Sequence, residues 1–391
     1  MKVAYVLHYP GFGGANIACL RLAQELNNRF GITPLFLVPM QGPVIAEIEK
    51  AGFSYKILHY ASWRGPRSGI KGLAYAIVTT CVNLIAAWRM KRSLSQESIS
   101  IIHGNTSLCA FAWFLSKAMG LPLVWHQREF GEEDYGLRYY YGEWIAGKII
   151  GLSDAVLTVS KAMCEYYKTF VRPSEKVDVV YDGIEVRGVD EKAKEDVSII
   201  GSEVAFKICM IGGISTGKNQ QEVIKALACQ DEDVRDMHFY MLGAGTAEYE
   251  LKLKDMAIRL GVSERVHFLG HHANIWPYLK QMNCAVCASL REGFGLAVVE
   301  SMYAGLPIVA VNSGSMPELV VHGKTGYIYE PGDVDALSRC LVRVKEGQLG
   351  VMQPQLSRSR VLERFTSEKN ADAIMRIYCA VLDKVGNRST N

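Results

Sequence analysis

Two carboxylates, Glu292 and Glu300, stand in the segment SLREGFGLAVVESMYAGLPIVAVNSGSMPELV. An apolar strand, Cys284–Ala288, leads into the loop Arg291-Glu292-Gly293-Phe294-Gly295, and a helix follows from about Leu296. That helix is apolar on nearly every side, which predicts burial. It nevertheless carries Glu300 beside Leu296, Val299 and Tyr303, because residues three and four apart share a face. A buried carboxylate without donors costs several kcal/mol or protonates. Vicinal hydroxyls on a ligand supply two donors, each hydrogen bond to the charged group contributing about 1.5–3 kcal/mol. The amides of Phe294, Gly295 and Leu296 open the helix, where an anion is favoured. Two carboxylates for hydroxyls and an amide cradle for phosphate match what a nucleotide-sugar presents. The competing reading is a helix-terminal charge plus a core salt bridge.

A second site for phosphate lies in MIGGISTGKNQ, where Gly212 and Gly217-Lys218 stop one step short of a nucleoside-triphosphatase P-loop. That loop needs Ser or Thr after the lysine to hold Mg²⁺, and Asn219 stands there. A lysine at a strand-to-helix turn still presents an ammonium to phosphate without a metal; the plain alternative is a surface lysine. In HYPGFGGANIACLRLAQEL, the glycines Gly11, Gly13 and Gly14 permit close backbone approach before a helix from about Asn16, or simply make the turn. In LVWHQREFGEEDYG, His126 ends an apolar strand and is placed either to meet a ligand or to serve as a structural histidine. Gln127, Arg128, Glu129 and the acidic Glu132-Glu133-Asp134 follow it.

These residues need strand ends to carry them. Short apolar runs alternate with helix-length segments throughout, which predicts parallel sheets covered on both faces. The expected strands are Lys2–Leu7, Thr33–Val38, Ser100–His103, Leu123–His126, Ala155–Val159 and Lys176–Tyr181. A second set comprises Phe206–Ile211, His238–Leu242, Val266–Leu269, Cys284–Ala288, Pro307–Ala310 and Gly326–Tyr329. Helices are expected over Asn16–Asn27, Leu108–Met119 and Trp144–Ile150. The charged stretch DGIEVRGVDEKAKEDVSIIGSE reads as a linker, giving domains 1–185 and 186–367. Ligands of such sheets bind beyond the carboxyl ends of strands. Asp333-Val334-Asp335 reads as a helix cap after Pro331-Gly332 rather than a metal-binding pair.

The 391 residues are 49% hydrophobic and 21% charged with net charge +3, which argues against bulk nucleic-acid binding. The ten cysteines show no zinc spacing; Cys19, Cys81, Cys209, Cys284 and Cys287 sit in apolar runs, as in a reducing compartment. With an N-terminal apolar run too short for a signal peptide, a cytoplasmic protein is expected. The uncharged stretch Gly72–Trp88 lies between Arg64, Arg67 and Lys71 and Arg89, Lys91 and Arg92. It reads as a core helix with snorkelling ends or as a helix lying in a membrane plane, rather than as a spanning helix. Tyr139-Tyr140-Tyr141 and Trp144 suggest stacking on a sugar ring or lipid head, or core packing.

Over about residues 205–378 the chain resembles the retaining glycosyltransferases of family 4, with Glu292 and Glu300 as the family's Glu-x7-Glu pair. The resemblance continues through SGSMPELVVHGKTGYIYEPGDVDAL and ERFTSEKNADAIMRIY. It implies a GT-B fold of two doubly wound, Rossmann-like domains facing an interdomain cleft, the first completed by a C-terminal helix within 368–391 and binding acceptor. Glu300 would bind the donor's ribose, Glu292 with the amides of Phe294, Gly295 and Leu296 the sugar and diphosphate, and Lys218 the diphosphate. Gly13 and Gly14 would lie under the diphosphate, the Gly270–Trp276 loop at the base, and His126 near the reacting sugar. Arg128 and Glu129 are expected on the acceptor side. The family usually has arginine where this chain has Gly213, and Arg291 is a candidate substitute. Its Asn-Gly before the linker appears here as Asp182-Gly183, and its Pro-Ser before the first glutamate as Ala288-Ser289.

The resemblance implies a UDP- or GDP-sugar donor, a saccharide or lipid-linked acceptor, retention by front-face attack, and no metal or other cofactor. A degenerate nucleotide-sugar binding protein and a P-loop-like NTPase are the alternatives.

Overall fold

The computed structural model describes residues 1–11, 13–66, 69–132, 136–197, 205–229, 232–348 and 354–389. Arg67, Glu133, Asp134 and residues 198–203 of the linker lie outside them. The chain divides into two compact units, Met1–Gly183 with Ser367–Asn391, and Ile184–Thr366.

The first unit is built on seven parallel strands: β1 (Lys2–Val6), β2 (Thr33–Val38), β3 (Ser54–Ile57), β4 (Ile99–Asn105), β5 (Leu123–Gln127), β6 (Ala155–Thr158) and β7 (Val177–Val179). Their order is β3-β2-β1-β4-β5-β6-β7. Val3, Ala4, Tyr5 and Val6 are all fully buried, as a central strand covered on both faces must be. Four helices matter below: α1 (Gly14–Phe30), α2 (Gly69–Ser93), α3 (Phe111–Met119) and α4 (Gly142–Gly151). The closing helix, Ser367–Ser389, returns to this unit. Arg29 pairs with Asp372 at 2.9 Å and donates to the Glu368 carbonyl at 2.8 Å. The buried Tyr378 hydroxyl lies 2.7 Å from His103 Nδ1 and 3.4 Å from the Tyr5 hydroxyl.

The second unit has six parallel strands: β8 (Phe206–Ile211), β9 (Met237–Leu242), β10 (Val266–Gly270), β11 (Cys284–Cys287), β12 (Ile308–Val311) and β13 (Gly326–Tyr329). They run in the order β10-β9-β8-β11-β12-β13. Ile208, Leu227, Phe239, Val309 and Leu341 form part of its closed core. The helices used below are α5 (Gln220–Leu227), α6 (Leu296–Tyr303) and α7 (Val334–Lys345). Asp333 caps α7 by accepting from the Ala336 amide at 2.8 Å.

All twelve expected strands form, within a few residues of the predicted ends. β3 was not anticipated: its SYKI sequence leaves the strand partly exposed at the sheet edge, without an apolar run. The core-helix reading of Gly72–Trp88 is overturned. α2 packs through small and polar side chains, including Ala76, Thr79, Asn83, Ala86 and Ala87, and leaves Leu73, Ile77, Leu84, Ile85 and Trp88 each more than half exposed. Asn83 fixes that inner face, accepting from the Ala61 amide at 2.9 Å and donating to the Ala61 carbonyl at 3.0 Å. Cys81 is exposed on the same helix rather than buried. All ten cysteines are free; Cys284 and Cys287 are three apart on β11, which sends their side chains to opposite faces. Tyr139 packs inside, with the Arg64 guanidinium 3.7 Å over its ring, whereas Trp144 is 68% exposed.

Tyr378→Phe removes the partner of a buried imidazole nitrogen and is expected to cost about 1–3 kcal/mol. The urea midpoint should fall accordingly; an unchanged midpoint would show that the closing helix holds this unit by apolar packing alone.

Candidate functional site

Each sheet reverses its winding once, between β8 and β11 in the second unit and between β1 and β4 in the first. Loops following two strands at such a point diverge to opposite sides and leave a crevice at the carboxyl ends. In the second unit these loops carry Lys218 and Glu292, whose Nζ and Oε2 lie 2.5 Å apart with side chains 30% and 17% exposed. The Ser289 hydroxyl donates to the same carboxylate oxygen at 2.9 Å.

The Glu292 loop is held from both sides. The Leu290 amide donates to the Gly217 carbonyl at 2.9 Å, and the Ser315 amide to the Glu292 carbonyl at 3.0 Å. The Ser313 and Ser315 hydroxyls each donate at 2.7 Å, to the Leu290 and Phe294 carbonyls. Gly314 lies at φ 56°, and a Cβ there would come 2.3 Å from the Glu292 carbonyl oxygen, so only glycine lets that turn press on the glutamate's backbone. Helix α6 starts beyond Gly295 (φ 92°) with no side-chain cap, and Glu300 sits 8% exposed within it, beside the fully buried Val299.

The Lys218 loop is braced by Gln220, which donates to the Gly213 carbonyl at 3.0 Å and accepts from the Ser215 amide at 3.3 Å. Asn219 takes the left-handed conformation (φ 58°) and donates to Glu222 at 2.7 Å. Glu222 also accepts from the Tyr329 hydroxyl and the Gly332 amide. The side chain following the lysine is therefore engaged within the fold, not aimed at the loop as a P-loop hydroxyl must be. A Cβ on Gly213 would meet nothing nearer than the Ala244 carbonyl oxygen at 3.9 Å, so a Cβ fits at the position where the family usually has arginine. Arg291 immediately precedes Glu292, and Gly270 ends β10 at φ 77°.

In the first unit, Asn105 and His126 are register partners at the ends of β4 and β5. Arg128 forms a buried ion pair with Asp182, donates to Asn105 Oδ1 at 2.6 Å, and lies 3.3 Å from His126 Nδ1. A guanidinium only donates, so Nδ1 accepts and Nε2 carries the proton. Among the described residues His126 Nε2 has no hydrogen-bond partner, nor does either amide atom of the fully buried Gln127. Burial, then Arg128 and His103, hold the His126 pKa well below its usual range, against a smaller opposing pull from the Val180 carbonyl, which stands outside hydrogen-bonding geometry with Nε2. Burial and Arg128 lower His103 to about 3, and burial lowers His8, after β1, to about 4. Thr106, a β-branched residue just after β4, is strained at φ 104°.

Arg128 and Glu129, expected at the acceptor, are only 8% and 5% exposed and are engaged with other residues of the first unit. Glu129 accepts from both the amide and the hydroxyl of Ser107 at 2.8 Å. The Asp182 carboxylate, standing where the family has asparagine, matches the Arg128 charge. Gly13 lies under the Tyr9 ring, whose hydroxyl a Cβ would approach to 2.0 Å, while Gly14 at the start of α1 borders open space. Sequence reading assigned no role to Ser289, Gln220 or Gln127. Ser289's place three residues before Glu292 and Gln127's at a strand end were the available signals.

Residues 194–357 match the family model described as Glycosyl transferases group 1, and residues 12–187 that of Glycosyltransferase Family 4. The chain is 29% identical over 242 residues to N-acetyl-alpha-D-glucosaminyl L-malate synthase of Bacillus anthracis, covering 60% of this chain and 62% of that protein. It is 24% identical to the UDP-Gal:alpha-D-GlcNAc-diphosphoundecaprenol alpha-1,3-galactosyltransferase of Escherichia coli, covering 81% and 85%. The fold is similar to that of Anabaena HepE in complex with UDP-glucose, with TM-score 0.79, 19% identity, and 97% and 100% of the two chains covered.

The lowered histidine pKa values set a pH dependence. Below about 6.5 the unfolded chain binds protons that the folded His8, His103 and His126 refuse, so their stability contribution is full above that pH and lost as pH falls toward 4. The expected loss is about 1.4 kcal/mol per pH unit for each histidine that titrates. The urea midpoint should be lower at pH 5 than at pH 7; equal midpoints would mean these imidazoles are not buried neutral.

Proposed function

The chain belongs to the family 4 type of GT-B glycosyltransferases, and from that premise we propose that it moves a sugar from a UDP- or GDP-sugar to a saccharide or lipid-linked saccharide, with retention of anomeric configuration. The observation that carries this reading is the Lys218–Glu292 pair at the switch point of the second unit, beside the uncapped start of α6 and with Glu300 in the same helix. An ammonium, a set of helix amides and two carboxylates supply complementary partners for a diphosphate and for sugar hydroxyls.

In this reading Lys218 exchanges Glu292 for the donor's diphosphate, joined by the amides of Phe294, Gly295 and Leu296. Glu292, kept in place by Ser289 and the Ser313–Ser315 turn, turns its carboxylate to hydroxyls of the transferred sugar. Glu300 takes the ribose hydroxyls, the Gly270 loop the base, and the room beside Gly213 lies next to the phosphates. As the glycosidic bond loosens, negative charge grows on the leaving diphosphate, and fixed donors stabilise it without reorganising. No carboxylate acts as nucleophile; the leaving phosphate takes the acceptor's proton on the face from which it departs, which preserves configuration. We assign the first unit to the acceptor, with the Nε2–H of His126 donating to a sugar hydroxyl. The scheme requires no metal, and a nucleotide-sugar made in the cytoplasm would supply the enzyme there.

The relatives support a UDP donor: one is named for a UDP-Gal transfer and one structural neighbour holds UDP-glucose. UDP or GDP should raise the melting temperature with or without Mg²⁺, by about 2.7 kcal/mol of added stability at a hundredfold excess over Kd. Glu300→Gln and Lys218→Met should each remove most of that gain. Stabilisation by ATP with Mg²⁺ alone would contradict the assignment, and UDP binding without sugar transfer or donor hydrolysis would identify a binding protein instead.

A further inference from the structure

Among the described residues, α2 belongs to the one helix long and apolar enough to cross a membrane, yet its packing is inverted for a core element. Leu73, Ile77, Leu84 and Trp88 are 54–57% exposed. At 100° per residue they fall within about 60° of one another, and Ile85 and Val78 widen the stripe. The face opposite holds Ala76, Asn83, Ala87 and Met90, all buried.

The charges on α2 itself have one sign. Gly69–Ser93 carries Lys71, Arg89, Lys91 and Arg92 and no acidic residue. Lys71 and Arg89 are eighteen residues apart, five full turns, so they lie on one line along a border of the stripe. The Arg92 guanidinium lies 3.7 Å over the exposed Trp88 ring. The neighbouring helix repeats the arrangement: Lys148 lies 3.5 Å over Trp144, which is 68% exposed. α4 is tied to α2 just before it begins, where the Tyr141 hydroxyl donates to the Ala76 carbonyl at 2.8 Å and lies 2.7 Å from the Thr80 hydroxyl.

We propose that the outer face of α2, with Trp144, docks in the headgroup region of an anionic lipid bilayer, the helix lying parallel to the membrane. Tryptophans with a cation at the ring are suited to the boundary between acyl chains and headgroups, and the basic border to lipid phosphates. A spanning orientation would strip α2 from the hydrogen bonds of Asn83 to Ala61 and of Tyr141 to Ala76. A second copy on the same face would set the four cations of α2 against four more, with no acid on that helix to pair with them.

The test is co-sedimentation of the full chain with vesicles of phosphatidylcholine alone and of phosphatidylcholine mixed with phosphatidylglycerol. Binding is expected to the mixed vesicles, weakening as salt is raised. Lys71→Gln with Arg89→Gln should lower the partition about tenfold, and Ile77→Ser with Leu84→Ser by at least about tenfold. All four positions are exposed, so urea midpoints should hold, and UDP stabilisation should be unchanged, which separates this surface from the donor site. The tryptophan blue shift on vesicles should shrink in Trp88→Phe. Equal binding to neutral and anionic vesicles, unaltered binding by the variants, or no binding at all would overturn the proposal. So would a vesicle-free oligomer that dissociates with Ile77→Ser and Leu84→Ser, which would assign the face to a second copy.

Discussion

The second unit depends on one contact: an ammonium and a carboxylate, 74 residues apart in sequence, held 2.5 Å from each other. Neither side chain is deeply buried, so the pair contributes little to stability by itself once water and salt screen it. What fixes it is the backbone beneath. The Gly217 carbonyl, the Ser313–Ser315 turn and the side chain of Gln220 lock two loops into one surface. A contact that rigid loops hold and solvent can reach is available for exchange. In the function we propose, an incoming diphosphate would offer Lys218 a second anion, and the released carboxylate would turn to hydroxyls without the loop moving.

The first unit answers a different constraint, that charges taken out of water must be matched. Arg128 achieves this with Asp182 and Asn105, and in doing so it fixes the tautomer of His126. A neutral imidazole with its proton on Nε2 follows from that network rather than from the histidine's own sequence position. The unmatched polar atoms of His126 and Gln127 lie at the carboxyl end of β5, where an α/β sheet presents ligand-binding groups.

Much of this was legible in the sequence because parallel strands buried on both faces leave unbroken apolar runs. The placement of Lys218 and Glu292 after strands was legible for the same reason; that their strands are neighbours was not, since order within a sheet leaves no local trace. Arg128 and Glu129 were expected on the acceptor side, and their burial was not legible because their partners, Asp182 and Ser107, come from distant segments. α2 read first as a core helix because hydropathy registers how apolar a helix is and not which face packs. Here alanines and Asn83 face inward, and the large side chains were left outside. Asn219 was legible as a departure from a P-loop, and its left-handed backbone and bond to Glu222 supply the physical reason.

The most direct measurement is a crystal structure of the protein with UDP. The account predicts the terminal phosphate within hydrogen-bonding distance of Lys218 Nζ and of the amides opening α6, with the ribose hydroxyls on Glu300 and the Lys218–Glu292 contact lengthened. A nucleotide bound elsewhere, with Lys218 and Glu292 still at their present separation, would contradict it.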